Sequence, residues 1–125
     1  MSPKTVAVIG ASANRSKFGN KAVRAFRDAG WTVFPIHPSL KEVEGLPAFP
    51  NLDALPIASL DQVSFYVPPD IGETLLAQVA RKNPAEVWLN PGSESRELLA
   101  RADALGLNTI QACSILGAGR HPGSY

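Results

Sequence analysis

The sequence predicts an α/β fold: a doubly wound, about five-stranded and mainly parallel sheet with helices on both faces. Short apolar runs such as Val6–Ile9 alternate with longer amphipathic stretches, the pattern of βαβ units. The runs carry no polar alternation, as expected of parallel strands covered on both sides. With 125 residues and 45% of them apolar, the chain can bury one sizeable core, so a single domain is expected.

Thr5–Ile9, rich in β-branched residues, reads as a first and central strand. Gly19–Ala29 reads as a helix, with Ala22, Val23, Ala25, Phe26 and Ala29 forming an apolar stripe and Gly30 ending it. Trp31–Ile36 is a second strand. Four prolines then break the pattern between His37 and Ser59, predicting a long connection with a short strand near Ala48-Phe49 and a helical turn near Leu52–Leu55. Gln62–Val67 is the next strand. Asp70 with Glu73 three residues later forms a capping box, predicting a helix from Ile71 to about Lys82. Glu86–Leu89 is a strand, Asn90-Pro91-Gly92-Ser93 a turn with a cap at Ser93, and Glu94–Leu105 a helix closed by Gly106. Asn108–Ala112 is a last short strand. A domain over residues 1–116 is thus expected, followed by a mobile tail over 117–125 that has no core pattern.

Composition narrows the function. Twelve Lys plus Arg against eleven Asp plus Glu leave a net charge of +1, so no overall field draws the protein to nucleic acid or an anionic membrane, and an anion site must be local. The lone Cys113 excludes an intrachain disulfide, and no early apolar run approaches a signal-peptide core or a membrane span. A cytoplasmic protein is expected. Trp31 and Trp88 read as core or sheet-edge residues, since no basic groove accompanies them.

Ligands of such sheets bind beyond the carboxyl ends of the strands, beside the first strand. The loop there runs from Gly10-Ala11-Ser12 to Gly19. It lacks the GxGxxG fingerprint and the P-loop Lys-Ser or Lys-Thr. It still offers a tight turn at Gly10, a helix N-terminus near Gly19, the cations Arg15, Lys17 and Lys21, and the hydroxyls of Ser12 and Ser16. Two readings stay open: a cradle for a phosphate or diphosphate, or a turn with solvated cations. The second strand ends in Ile36-His37-Pro38-Ser39 with Lys41 beyond, where an NAD site would place an acid. A phosphorylated ribose, as in NADP or coenzyme A, suits that end better; Lys41 reads equally as a surface residue.

Five short motifs, "VAVIGAS" at 6–12, "VFPIHP" at 33–38, "YVPP" at 66–69, "VWLNPG" at 87–92 and "CSI" at 113–115, together resemble the small CoA-binding proteins of the CoA_binding_2, or YccU-like, family. These are similar to the N-terminal domain of the succinyl-CoA synthetase α subunit. The resemblance covers nearly the whole chain and implies a Rossmann-like fold that binds coenzyme A. It implies that Gly10, Ala11, Ser12, Lys17 and Gly19 hold the diphosphate; Arg15 and Ser16 are added as candidates by their charge and hydroxyl in the same loop. It places His37, Pro38, Ser39 and Lys41 near the adenosine and its 3′-phosphate. Val67, Pro68 and Pro69 would wall the crevice, and Asn90, Pro91 and Gly92 would approach the ligand with their backbone. Relatives commonly carry Val-Asn-Pro where Ile36-His37-Pro38 stands here, and Gln-Pro-Gly where Asn90-Pro91-Gly92 stands. The prolines read equally as rigid turns.

No set of His, Cys or acidic residues has metal-ligand spacing, so no metal is expected. The histidine that succinyl-CoA synthetase phosphorylates lies in a further domain, so the resemblance implies no ligase activity. Cys113 reads either as a buried inert residue or as one facing the pantetheine thiol. The expected function is binding of coenzyme A or an acyl-CoA without catalysis; the alternatives are an NADP-dependent reductase, a CoA-dependent transferase subunit, or a bare interaction module. A protein partner or a homodimer stays open.

Overall fold

The computed structural model describes residues 2–125. Strand β1 (Thr5–Ile9) leads to helix α1 (Phe18–Asp28) and strand β2 (Thr32–Ile36). A small antiparallel hairpin, β3 (Glu42–Val43) with β4 (Leu46–Pro47), and a 3-10 turn at Leu52–Ala54 precede β5 (Gln62–Phe65). Helix α2 (Pro69–Arg81), β6 (Glu86–Leu89), α3 (Arg96–Ala104), β7 (Thr109–Gln111) and the short α4 (Ser114–Gly117) complete the chain.

Five strands form one parallel sheet in the order β2-β1-β5-β6-β7, so the doubly wound expectation holds. The order reverses at β1, where the chain moves outward to β2 and then returns to β5 on the other side. Two apolar layers sandwich the sheet. Leu76 and Val79 of α2 with Leu98 and Ala102 of α3 pack on Ala7, Ile9, Val63, Phe65, Val87 and Leu89. Ala22, Val23, Ala25 and Phe26 of α1 with Ile115 of α4 pack on Val6, Val8 and Val33. Successive residues of β1 thus face opposite layers, which is why its sequence is uniformly apolar.

Several expected boundaries move. Helix α2 starts at Pro69 after Pro68 and no side chain caps it, so the Asp70–Glu73 box does not form. Proline fits a first helical position, where no N–H partner is needed, and Glu73 lies instead 3.5 Å from Arg101 Nε on α3. Helix α3 is capped by Ser95, whose Oγ accepts from Leu98 N at 3.0 Å, rather than by Ser93. Phe49 makes a single parallel bridge to Ile36 in place of the expected strand, and the hairpin at 42–47 replaces part of the loop. The tail packs against α1. Tyr125 packs beside α1, its hydroxyl donates to Asp28 at 2.8 Å and accepts from Arg120 Nε at 3.0 Å. A single tyrosine after eight polar and small residues leaves no periodic signal for such docking. No helix among the described residues is long and apolar enough to cross a membrane.

Candidate functional site

A cleft of about 610 Å³ opens at the carboxyl ends of β1, β5 and β6, at the point where the strand order reverses. Its floor is the turn after β1. Gly10 has φ +92°, and a Cβ there would stand 2.7 Å from the Tyr66 carbonyl oxygen. Helix α1 starts directly on this turn: Gly19 rests against Gly10, and a Cβ on it would overlap the Gly10 carbonyl oxygen. The N-terminus of α1 is therefore held inside the cleft wall. Its N-cap, Lys17, is extended and caps nothing, and its first turn carries no acid. Among the described residues no acceptor meets the amides of Phe18 and Gly19. Lys17 adds a full positive charge, and no carboxylate lines the cleft. Unpaired amides, a helix dipole and a lysine without a counter-ion make a local anion site.

Of the residues singled out in the sequence, Gly10, Ala11, Ser12, Lys17, Gly19, His37, Val67, Pro68, Pro91 and Gly92 line this cleft. Ser12 accepts from Asn14 N at 3.0 Å, which leaves its hydroxyl hydrogen for the cleft. The other candidates turn elsewhere. Ser16 donates its hydroxyl to Asn14 Oδ1 at 2.7 Å, and Arg15 Nε lies 3.7 Å from Glu44 Oε2. The hydrogen bond from Asn20, with the charges of Arg15, Arg24 and Arg27, holds the Glu44 carboxyl below its usual range. Arg15 therefore has its counter-ion within the protein. Ser39 and Lys41 are exposed on the way to β3 and line no part of the cleft, and Pro69 is taken into α2.

His37 stands at a junction. Beside the cleft lies a smaller slot of about 160 Å³, walled by Ile9, Ile36, Pro38, Leu52, Ile71 and Leu75, and His37 borders both spaces. Its Nδ1 accepts from Ser39 N at 3.1 Å and from Leu40 N at 3.0 Å. A neutral imidazole that accepts at Nδ1 carries its hydrogen on Nε2, which has no acceptor among the described residues. The side-chain oxygens at the slot are engaged locally: Asn51 Oδ1 accepts from Ala54 N at 2.9 Å and Gln78 Oε1 from Leu52 N at 3.1 Å. The rest of its wall is mostly apolar.

Asn90 is buried and does not touch the cleft. Its Nδ2 donates to Ser64 Oγ at 3.0 Å and to the Phe65 carbonyl at 2.9 Å, and its Oδ1 accepts from Ser114 N at 2.8 Å. It brackets β5, the end of β6 and α4 together, so only Pro91 and Gly92 of its motif reach the site. Ser114 Oγ lies 3.1 Å from Asn90 Oδ1, 2.6 Å from Ser64 Oγ and 2.9 Å from the Tyr66 hydroxyl, so these groups share one hydrogen-bonded network. Burial pushes the Tyr66 phenol up to about 12. Cys113 precedes α4, is half-buried among the α1-side core and does not line the cleft.

Three cleft residues escaped the sequence reading: Phe18, Tyr66 and Ser93. Tyr66 stood in a quoted motif, but only the fold brings its main chain against Gly10 and its hydroxyl to Ser114. Phe18 could have been noticed as a large apolar residue, 54% exposed here, in an otherwise polar loop. Among the described residues no group of three His, Cys, Asp or Glu side chains could hold a metal.

The profile of the CoA binding domain matches residues 4–119. The chain belongs to the CoA binding domain family. It is 32% identical over 118 residues to an ADP-forming acetate–CoA ligase I of Archaeoglobus fulgidus; the match covers 86% of this chain but only 17% of that enzyme. Among solved structures, a conserved hypothetical protein from Pyrococcus furiosus superposes with a TM-score of 0.83 at 27% identity, covering 93% of this chain and 99% of that one. A dinucleotide-forming acetyl-coenzyme A synthetase 1 from Candidatus Korarchaeum cryptofilum, solved with phosphate and ADP, superposes with a TM-score of 0.76 at 26% identity. That match covers 89% of this chain and 26% of the synthetase. The chain thus matches one protein of its own size and only a small part of two far longer enzymes.

Proposed function

We propose that this CoA binding domain protein binds coenzyme A, or an acyl-CoA, in the cleft at the carboxyl ends of β1, β5 and β6, without catalysis of its own. The observation that carries the reading is the uncapped N-terminus of α1, held against Gly10 by Gly19, with Lys17 beside it and no carboxylate on the cleft wall. A diphosphate fits that chemistry. The adjoining apolar slot offers a place for an uncharged part of the same ligand, on the far side of His37. The cleft lining supports binding rather than turnover: its titratable side chains are Lys17, His37 and Tyr66, with no nucleophile paired to a base.

Thermal-shift and calorimetric titrations with CoA, acetyl-CoA, NADP and NAD test this. Binding to the folded state raises Tm, and CoA or acetyl-CoA is expected to raise it most. A larger shift with NADP than with either CoA compound would favour the reductase alternative and sink this reading.

A further inference from the structure

Arginine is rarely buried without a purpose, because removing its charge from water costs several kcal/mol. Arg24, in the middle of α1, is only 8% exposed, and among the described residues no Asp or Glu side chain forms an ion pair with it. Its guanidinium is spent on oxygens. Nε donates to Asn20 Oδ1 at 2.7 Å, and Nη2 donates to the Arg15 carbonyl at 2.8 Å and to the main-chain oxygen of Tyr125, the last residue, at 3.3 Å. One turn earlier, the fully buried Asn20 donates its Nδ2 to the Ser12 carbonyl at 2.8 Å and to Glu44 Oε2 at 3.1 Å. Glu44 is locked in turn, since its carbonyl accepts from Arg27 Nη1 at 2.6 Å and its φ is +51°.

Asn20 and Arg24 stand four apart and so share one face of α1. From that face they hold two carbonyls of the β1–α1 loop, one at each end of the segment Ser12–Arg15. In a trans peptide the N–H points opposite to the C=O. Pinning the Ser12 carbonyl to the buried helix face turns the Ala13 amide away from it, where no acceptor among the described residues meets it. The core gains little from this, because an apolar pair would fill the same space at lower desolvation cost. The gain is a loop whose carbonyl dipoles point away from an arriving anion, with a buried positive charge behind them.

We propose that Asn20 and Arg24 are positioning residues for the anion loop, holding Ser12–Arg15 in its ligand-ready form before the ligand arrives. This rests on the reading of the cleft as a CoA site. The test combines amide hydrogen exchange of the ligand-free protein with CoA titration, for the wild type, Arg24→Met and Arg24→Lys. The amides to follow are Asn14, Ser16 and Lys17, which are hydrogen-bonded inside the loop. With Arg24→Met they are expected to exchange on the order of tenfold faster while the β5 and β6 amides stay unchanged, and the CoA Kd is expected to rise about tenfold. Lysine supplies one of the three bonds and should restore part of both. Should Arg24→Met fail to fold, Arg24→Lys decides, with a several-fold effect on both readouts. Wild-type loop exchange and wild-type affinity in a folded variant would overturn the proposal. Absence of CoA binding by the wild type would sink the functional reading instead, and loop exchange alone would then decide whether the two residues order the loop.

Discussion

Gly19 and Gly10 touch backbone to backbone: a Cβ on Gly19 would overlap the carbonyl oxygen of Gly10. This contact lets α1 start so close to the end of β1 that its free amides form the cleft wall. Gly19→Ala must push the helix off the turn, since the obstacle is main chain rather than a flexible side chain. A loss of about 1–3 kcal/mol in urea unfolding is expected, with weaker CoA binding at temperatures where the variant stays folded. Wild-type stability and affinity would show that the helix can shift at no cost.

Lys17 is exposed, carries no ion pair among the described residues and lines the cleft. Lys17→Glu should therefore leave Tm nearly unchanged while weakening CoA by about tenfold or more, with the wild-type affinity itself falling as salt is raised. Calorimetry at two salt concentrations measures both. Equal affinity of the variant and the wild type removes Lys17 from the site.

His37 separates turn from ligand. The side chain of His37→Asn can accept from the Ser39 and Leu40 amides, as Nδ1 does, but presents no group where Nε2–H stands. Unfolding free energy should be kept while CoA affinity falls about tenfold, whereas His37→Ala should lower both. If the asparagine variant binds CoA like the wild type, Nε2 makes no ligand contact.

Tyr66 gives a pH dependence whose sign follows from its burial. The phenol sits near 12 in the folded protein against about 10 when unfolded. Between about pH 10 and 12 the folded state binds more protons than the unfolded one, so this group's stability is complete below about 10 and lost as the pH rises toward 12. Tyr66→Phe should show a shallower fall of stability with pH across that window, measured by urea unfolding. Identical slopes would show that the phenol ionises as easily folded as unfolded.

The sequence by itself determined the architecture and singled out the loops in which to look for a site. Strand and helix periods are local properties, and the apolar runs at β1, β2, β5 and β6 together with glycine stops placed the main strands and α1 and α3 within a few residues. The rule that ligands sit beyond strand ends pointed to the loops after β1, β2, β5 and β6. Tertiary structure decided which side chains in those loops face the cleft. Arg15 and Ser16 are as polar as Lys17 and Ser12, yet Glu44 and Asn14 claim them. Asn90 belonged to a site motif, but strands that meet beneath it turn it into a bracket. Glu44 lies 24 residues from Asn20, and Asn20 and Arg24 sit on a plain amphipathic helix, so nothing in their spacing announces that they meet behind Ser12. Hydrogen-bond partners are chosen in three dimensions, by whichever donor and acceptor the packed backbone brings within reach, and periodicity carries no record of that choice.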